Sequence, residues 1–194
     1  MNLTTRRITR AAVIAALYVT LTLVTFPIAS GAIQFRPSEA LTLLPLFMPE
    51  AILGIWIGCI LANWITGCVL LDIIFGSLIT LIAGCLTYLV GRLIKQKPFV
   101  SIDGEDNQKA LEEYNKKNNI LNIIKIVVGG IFPILGNAFF LPLIWLWAYG
   151  ELEYVYWLQF AFLAATEALA IYTLGTLFCI ALYRAYYKKP VIVK

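Results

Sequence analysis

Six polar residues sit where a strongly apolar chain has little reason to keep them: Arg36, Glu39, Asn63, Asp72, Asn137 and Glu167. Ionisable groups in or beside hydrocarbon are costly unless they are paired, reach water or meet a ligand. Glu167 is the plainest case. It is flanked by FLAAT and ALAI, and no basic residue is expected at its depth. Its nearest polar companion by depth is Asn137, a neutral amide. Carboxylates can accept paired N–H donors or hold a cation, and amides can serve a carbonyl. Aromatic faces can stack on a flat ring. Trp56, Phe75, Phe140, Trp145, Trp157 and Phe160 crowd the same part of the chain. This chemistry fits the binding of a small, donor-rich ligand. It fits turnover poorly: the chain has no histidine, no ExxH or HExxH motif and no GxSxG elbow, so neither catalytic residues nor a metal or cofactor are expected. An intramembrane enzyme built on Glu39, Glu50 and Glu167 is the weaker alternative.

Each group also has a structural reading. Asn63 and Asn137 can be interhelical hydrogen-bonding groups. Asp72 can cap a helix, and Arg36 can pair with Glu39. Trp145, Trp147, Tyr154, Tyr156 and Trp157 can form an interfacial belt.

The elements that must position these groups follow from the apolar pattern. The hydrophobic share of 61% places the chain among integral membrane proteins. Apolar runs predict a first helix over 11–28, a third over 51–65, a fourth over 73–94, a fifth over 120–147 and a sixth over 154–187. The first run also has features of a signal peptide but is long for one, and it is read as an uncleaved helix. Between the first and third lies QFRPSEALTLLPLFMPE, Gln34 to Glu50, with Pro37, Pro45 and Pro49. It predicts a short second helix over 39–49, with Ser38 as N-cap and Glu39 in the first turn, near its outer end. A polar linker is expected over 95–119. The cysteines Cys59, Cys68, Cys85 and Cys179 stand singly in apolar runs and read as small helix residues.

Charge sets the expected topology. Thirteen of the fifteen basic residues fall before the first helix, around the linker or at the C-terminal end. The three places share one side if six helices cross the bilayer. By the positive-inside rule that side is cytoplasmic, with both termini there. The net charge of +4 is then a topology signal, and no nucleic-acid partner is expected. The expectation is a single all-α membrane domain of six transmembrane helices over 1–194. The polar set Glu39, Asn63, Asp72, Asn137 and Glu167 lies in its outer half, which predicts a pocket open to the outside. In the first helix, Ala11 and Ala15, and Ala12 and Ala16, form two overlapping small-xxx-small pairs that allow close helix approach.

FRPSEALTLLPLFMPEAILGIWIGCILAN followed by LDIIFGSLITLIAG, and more loosely PILGNAFFLPL and TEALA, resembles the QueT family. That family supplies the substrate-binding S component of energy-coupling factor (ECF) transporters for queuosine precursors. The resemblance implies six membrane helices in a bacterial plasma membrane and an outward-facing site. Its ligand would be a 7-deazaguanine base such as preQ1, preQ0 or queuine. It also implies a partner module of the coupling protein EcfT and the ATPases EcfA and EcfA'. The Ala11, Ala12, Ala15 and Ala16 face would dock on the coupling protein. The chain carries no GxxxxGK[ST] motif, so ATP hydrolysis would fall to those partners. A solitary secondary transporter is the rival reading, although no inverted repeat is visible. For a 7-deazaguanine, Glu39, Asp72 and Glu167 would supply carboxylates and Asn63 and Asn137 amides. Arg36, Trp56 and Phe75 would complete the expected site.

Overall fold

A computed structural model describes residues 2–29, 34–94, 106–152 and 154–186. Among these residues every regular element is helical. Helix α1 (Leu3–Val24) is followed by a 3-10 helix (Pro37–Leu46) and by α2 (Glu50–Ile65). A π turn (Asp72–Gly76) opens α3 (Ser77–Leu93). Helix α4 spans Asp106–Tyr149, and α5 (Tyr156–Leu169) runs through a second π turn (Ala170–Gly175) into α6 (Thr176–Tyr186). Among the described residues, four helices are long and apolar enough to cross a membrane: Leu3–Val24, Asp72–Leu93, Lys116–Tyr149 and Tyr156–Leu182. Glu50–Ile65 is apolar but shorter.

The Gln34–Glu50 stretch forms the centre of the molecule. Pro37 occupies the first turn of its helix and Glu39 follows, but all ten residues from Pro37 to Leu46 are buried. A 3-10 helix rises ~2.0 Å per residue against ~1.5 Å for an α-helix, so ten residues reach ~20 Å rather than ~15 Å. Leu41 and Leu44 pack toward α1 and α2, beside Ile14, Tyr18, Ile55 and Cys59. Leu43 and Leu46 pack toward Val90, Ile126, Ile134, Ile171 and Cys179. Ser38, expected as the N-cap, lies inside the helix instead. Arg36 holds the cap position, and the Thr22 hydroxyl donates to Ser38 Oγ at 2.9 Å.

Close backbone approach holds this centre in place. A Cβ on Gly175 would lie 2.9 Å from the Ala40 carbonyl oxygen, so the second π turn rests directly on the 3-10 backbone. On the other side, Gly54 and Gly58 of α2 admit α1: added Cβ atoms would lie 2.8 Å from the Ala11 carbonyl oxygen and 2.7 Å from Tyr18 Cβ. Helices α1 and α2 therefore run side by side in the same direction. Arg10 Nη1 donates to Glu50 Oε1 at 2.9 Å and ties their starts together. The 3-10 helix must return between them, antiparallel to α1.

The polar linker expected over 95–119 is shorter than that. Helix α4 begins at Asp106, so its first fourteen residues fall in the expected linker. The reason is legible in retrospect: Glu112 and Glu113 stand four residues before Lys116 and Lys117, a spacing that favours a helix. Residues 95–105 lie outside the described ones.

Candidate functional site

The site assembles where the 3-10 helix starts. Before it, Gln34, Phe35 and Arg36 are non-helical, and the Phe35 N–H donates to the Ile28 carbonyl at 2.8 Å. Gln34 is buried, so the chain has turned back into the protein before the helix begins. This places Glu39 level with Tyr18 of α1, eight residues beyond Arg10, or ~12 Å at the α-helical rise. Tyr18 stands six residues before the end of α1, so Glu39 lies toward that end of the helix, buried in the core.

Glu39 is 2% exposed, and its Oε1 accepts a hydrogen bond from the Tyr18 hydroxyl. Glu167, on α5, is 4% exposed, and its Oε1 accepts from Asn137 Nδ2 of α4 at 3.0 Å. The depth pairing of Asn137 with Glu167 read from the chain is therefore a direct contact. The Asn137 amide also interacts with Glu39, and the two carboxylates are near enough to repel each other. The second oxygen of each, Glu39 Oε2 and Glu167 Oε2, is buried without a hydrogen-bond partner. Buried polar atoms are nearly always satisfied, and an unsatisfied one costs ~1–3 kcal/mol. Two such oxygens on neighbouring carboxylates call for a donor from outside the chain.

A second polar tier adjoins the first. The Arg36 guanidinium interacts electrostatically with Asp72, Tyr18, Cys59 and Glu39, and its Nη1 lies 3.5 Å from Asn63 Oδ1. Asp72 opens the first π turn and is buried, with Oδ1 unpartnered. The Asn63 amide nitrogen reaches Cys59 Sγ at 3.7 Å. The two π turns flank the site: one presents Asp72, and the other begins three residues after Glu167. Such turns often accompany function because they shift side-chain register within a helix. Among the described residues, no cluster of His, Cys, Asp and Glu could hold a metal ion, and all four cysteines are free.

The remaining expected residues fall elsewhere. Trp56 is half-buried on α2. Phe75 is 38% exposed, and its ring lies 5.7 Å from that of Trp147. Ala11 and Ala15 face α2, where Gly54 and Gly58 approach, whereas Ala12 and Ala16 are exposed. Tyr18 and Gln159 are among the buried polar residues that escaped the reading of the chain. Tyr18 sits in an apolar run and resembles any other core aromatic. Gln159 lies on the same α5 face as Leu163 and Glu167, and that spacing was a usable signal.

A family model described as "QueT transporter" matches residues 8–184. The queuosine precursor transporter QueT of Lactococcus lactis subsp. cremoris is 40% identical over 73 residues, covering 37% of this chain. The chain spans only 43% of that relative's length in the match. No solved structure matches the chain.

Proposed function

The chain belongs to the QueT transporter family, and we propose that it is the substrate-binding membrane subunit of an ECF-type importer of a queuosine precursor. The observation that carries this reading is the pair of buried carboxylates, each with one oxygen satisfied by the protein and one unpartnered. A 7-deazaguanine base offers adjacent N–H donors on one edge, and an aminomethyl substituent adds a cation. Donors meeting Glu39 Oε2 and Glu167 Oε2 would satisfy both atoms, and charge-assisted bonds of this kind are the strong ones. The outer tier, with Arg36, Asn63 and Asp72, supplies both donors and acceptors for the rest of the base.

In this reading the 3-10 helix and α2 complete six crossings with the four long spans. Both termini lie in the cytoplasm of a bacterial cell, and the site faces outward. Import then requires energy from elsewhere, supplied by a coupling protein of the EcfT type and the ATPases EcfA and EcfA'. The exposed Ala12 and Ala16 of α1 offer a small-residue face for the coupling protein.

Mass spectrometry of small molecules retained by the purified protein tests the ligand directly. A 7-deazaguanine released on denaturation, and rebound by the emptied protein, is the expected result. A different retained solute, together with no binding of any 7-deazaguanine, would overturn the reading.

A further inference from the structure

Helix α1 holds the start of the 3-10 helix by two hydroxyls on one face. Tyr18 donates to Glu39 Oε1, and one turn later the Thr22 hydroxyl bonds Ser38 Oγ at 2.9 Å. Tyr18 is 1% exposed, and its Cβ lies where Gly58 of α2 leaves no room for a side chain. A ring confined in this way can move its hydroxyl little. The arrangement therefore fixes the torsion of the Glu39 carboxylate as well as satisfying one of its oxygens. The oxygen left over, Oε2, is also buried. Across the site, Asn137 treats Glu167 in the same manner. Each carboxylate takes one hydrogen bond from a neutral donor, and among the described residues each keeps one buried oxygen unpartnered.

We propose that Tyr18 is a positioning residue for ligand recognition, holding Glu39 by one oxygen so that the other is presented to the ligand. Resting on the ligand assignment above, this adds α1 to the elements that build the site. A phenol suits the role because its hydroxyl donates without adding a second positive charge beside Arg36, which already interacts with Glu39. A phenylalanine would remove that donor and orphan a second oxygen.

The test is a double-mutant cycle read by equilibrium binding of 7-aminomethyl-7-deazaguanine to the full-length protein, with thermal stability recorded for every variant. Tyr18→Phe is expected to bind about tenfold more weakly, in line with loss of a hydrogen bond to a charged group. Added to Glu39→Gln, the same change should cost less than about threefold, because residues acting through one another are not additive. Thr22→Val breaks the neighbouring contact without touching Glu39, and should shift affinity less than about threefold. Equal loss in Tyr18→Phe and Thr22→Val would assign the effect to helix packing and overturn the proposal. So would full additivity with Glu39→Gln, or wild-type affinity in Tyr18→Phe. Wild-type protein that binds no 7-deazaguanine would overturn the ligand assignment itself, and this inference with it.

Discussion

Two carboxylates from the same short stretch meet helix α1, and they are treated in opposite ways. Glu50 accepts from Arg10 at 2.9 Å, with the arginine side chain 37% exposed and the glutamate 7%. Glu39, level with a point eight residues further along α1, accepts from the neutral Tyr18 and keeps a buried oxygen open. At the first contact charge meets charge at the edge of the protein. At the second a neutral donor orients the carboxylate inside the core, near Arg36, and leaves one oxygen open. The same residue type thus closes a helix junction in one place and, in the proposed function, offers a binding group in the other. Burial and the charge of the partner decide which.

The contrast is sharpest at Glu167, whose carboxylate accepts from an amide. Glu167→Gln keeps the shape but turns an acceptor into a donor, opposite a ligand donor. Binding of 7-aminomethyl-7-deazaguanine should weaken at least a hundredfold, on the order of 3 kcal/mol, with the folded protein intact. Glu39→Gln should follow at about thirtyfold, or ~2 kcal/mol, since Arg36 and Asn137 remain nearby. Calorimetric titration of both variants measures the order. If Glu39→Gln is the more damaging, the ligand's charged group sits at the 3-10 helix rather than at α5.

A parallel contrast divides α1 itself. Ala11 and Ala15 face the glycines of α2, while Ala12 and Ala16 face outward. Ala12→Trp should lower capture of the coupling protein about tenfold and leave ligand affinity within about twofold, because it meets no group of the site. Ala15→Trp should instead reduce the yield of folded protein, since it would drive a large side chain against the α2 backbone. Co-purification with the coupling protein, scored beside ligand titration, separates the two faces. Capture that survives both Ala12→Trp and Ala16→Trp would remove this face as the docking surface.

The chain pattern alone located the long helices and the buried polar set because hydrocarbon leaves so little freedom. Asn137 and Glu167 could be paired from depth, since each stands in the middle of a long apolar run of predictable rise. The Gln34–Glu50 stretch was legible as unusual but not in its geometry. Three prolines and a carboxylate mark a short helix, yet whether it is α or 3-10 depends on contacts with Gly175 and its neighbours, which are remote in sequence. The same limit hid the turn of the chain back into the protein at Gln34 and Phe35, which accompanies the burial of Glu39. Tyr18 was invisible for a different reason: a tyrosine in an apolar run shows its hydroxyl's purpose only when its partner is known. Phe75 illustrates the converse. Its type and position suited a stacking role, but the π turn leaves it exposed against Trp147.

The smallest effect belongs to the closed contact, and it is the most direct check on the contrast. Glu50→Gln removes the charge that answers Arg10 but keeps an oxygen that can accept from it. The pair lies at the edge of the protein, with the arginine partly in solvent. Its loss should therefore lower stability by no more than about 1 kcal/mol, as for other partly exposed ion pairs. Ligand affinity should stay within about twofold, because Glu50 sits at the far end of the 3-10 helix from Glu39 and shares no hydrogen bond with the site. Thermal unfolding in detergent, run beside titration with 7-aminomethyl-7-deazaguanine, measures both quantities. A fall in affinity comparable to that of Glu39→Gln would mean that the Arg10–Glu50 contact sets the position of the whole 3-10 helix. The two carboxylates would then be parts of one device, and the division between a closing charge and an open one would fail.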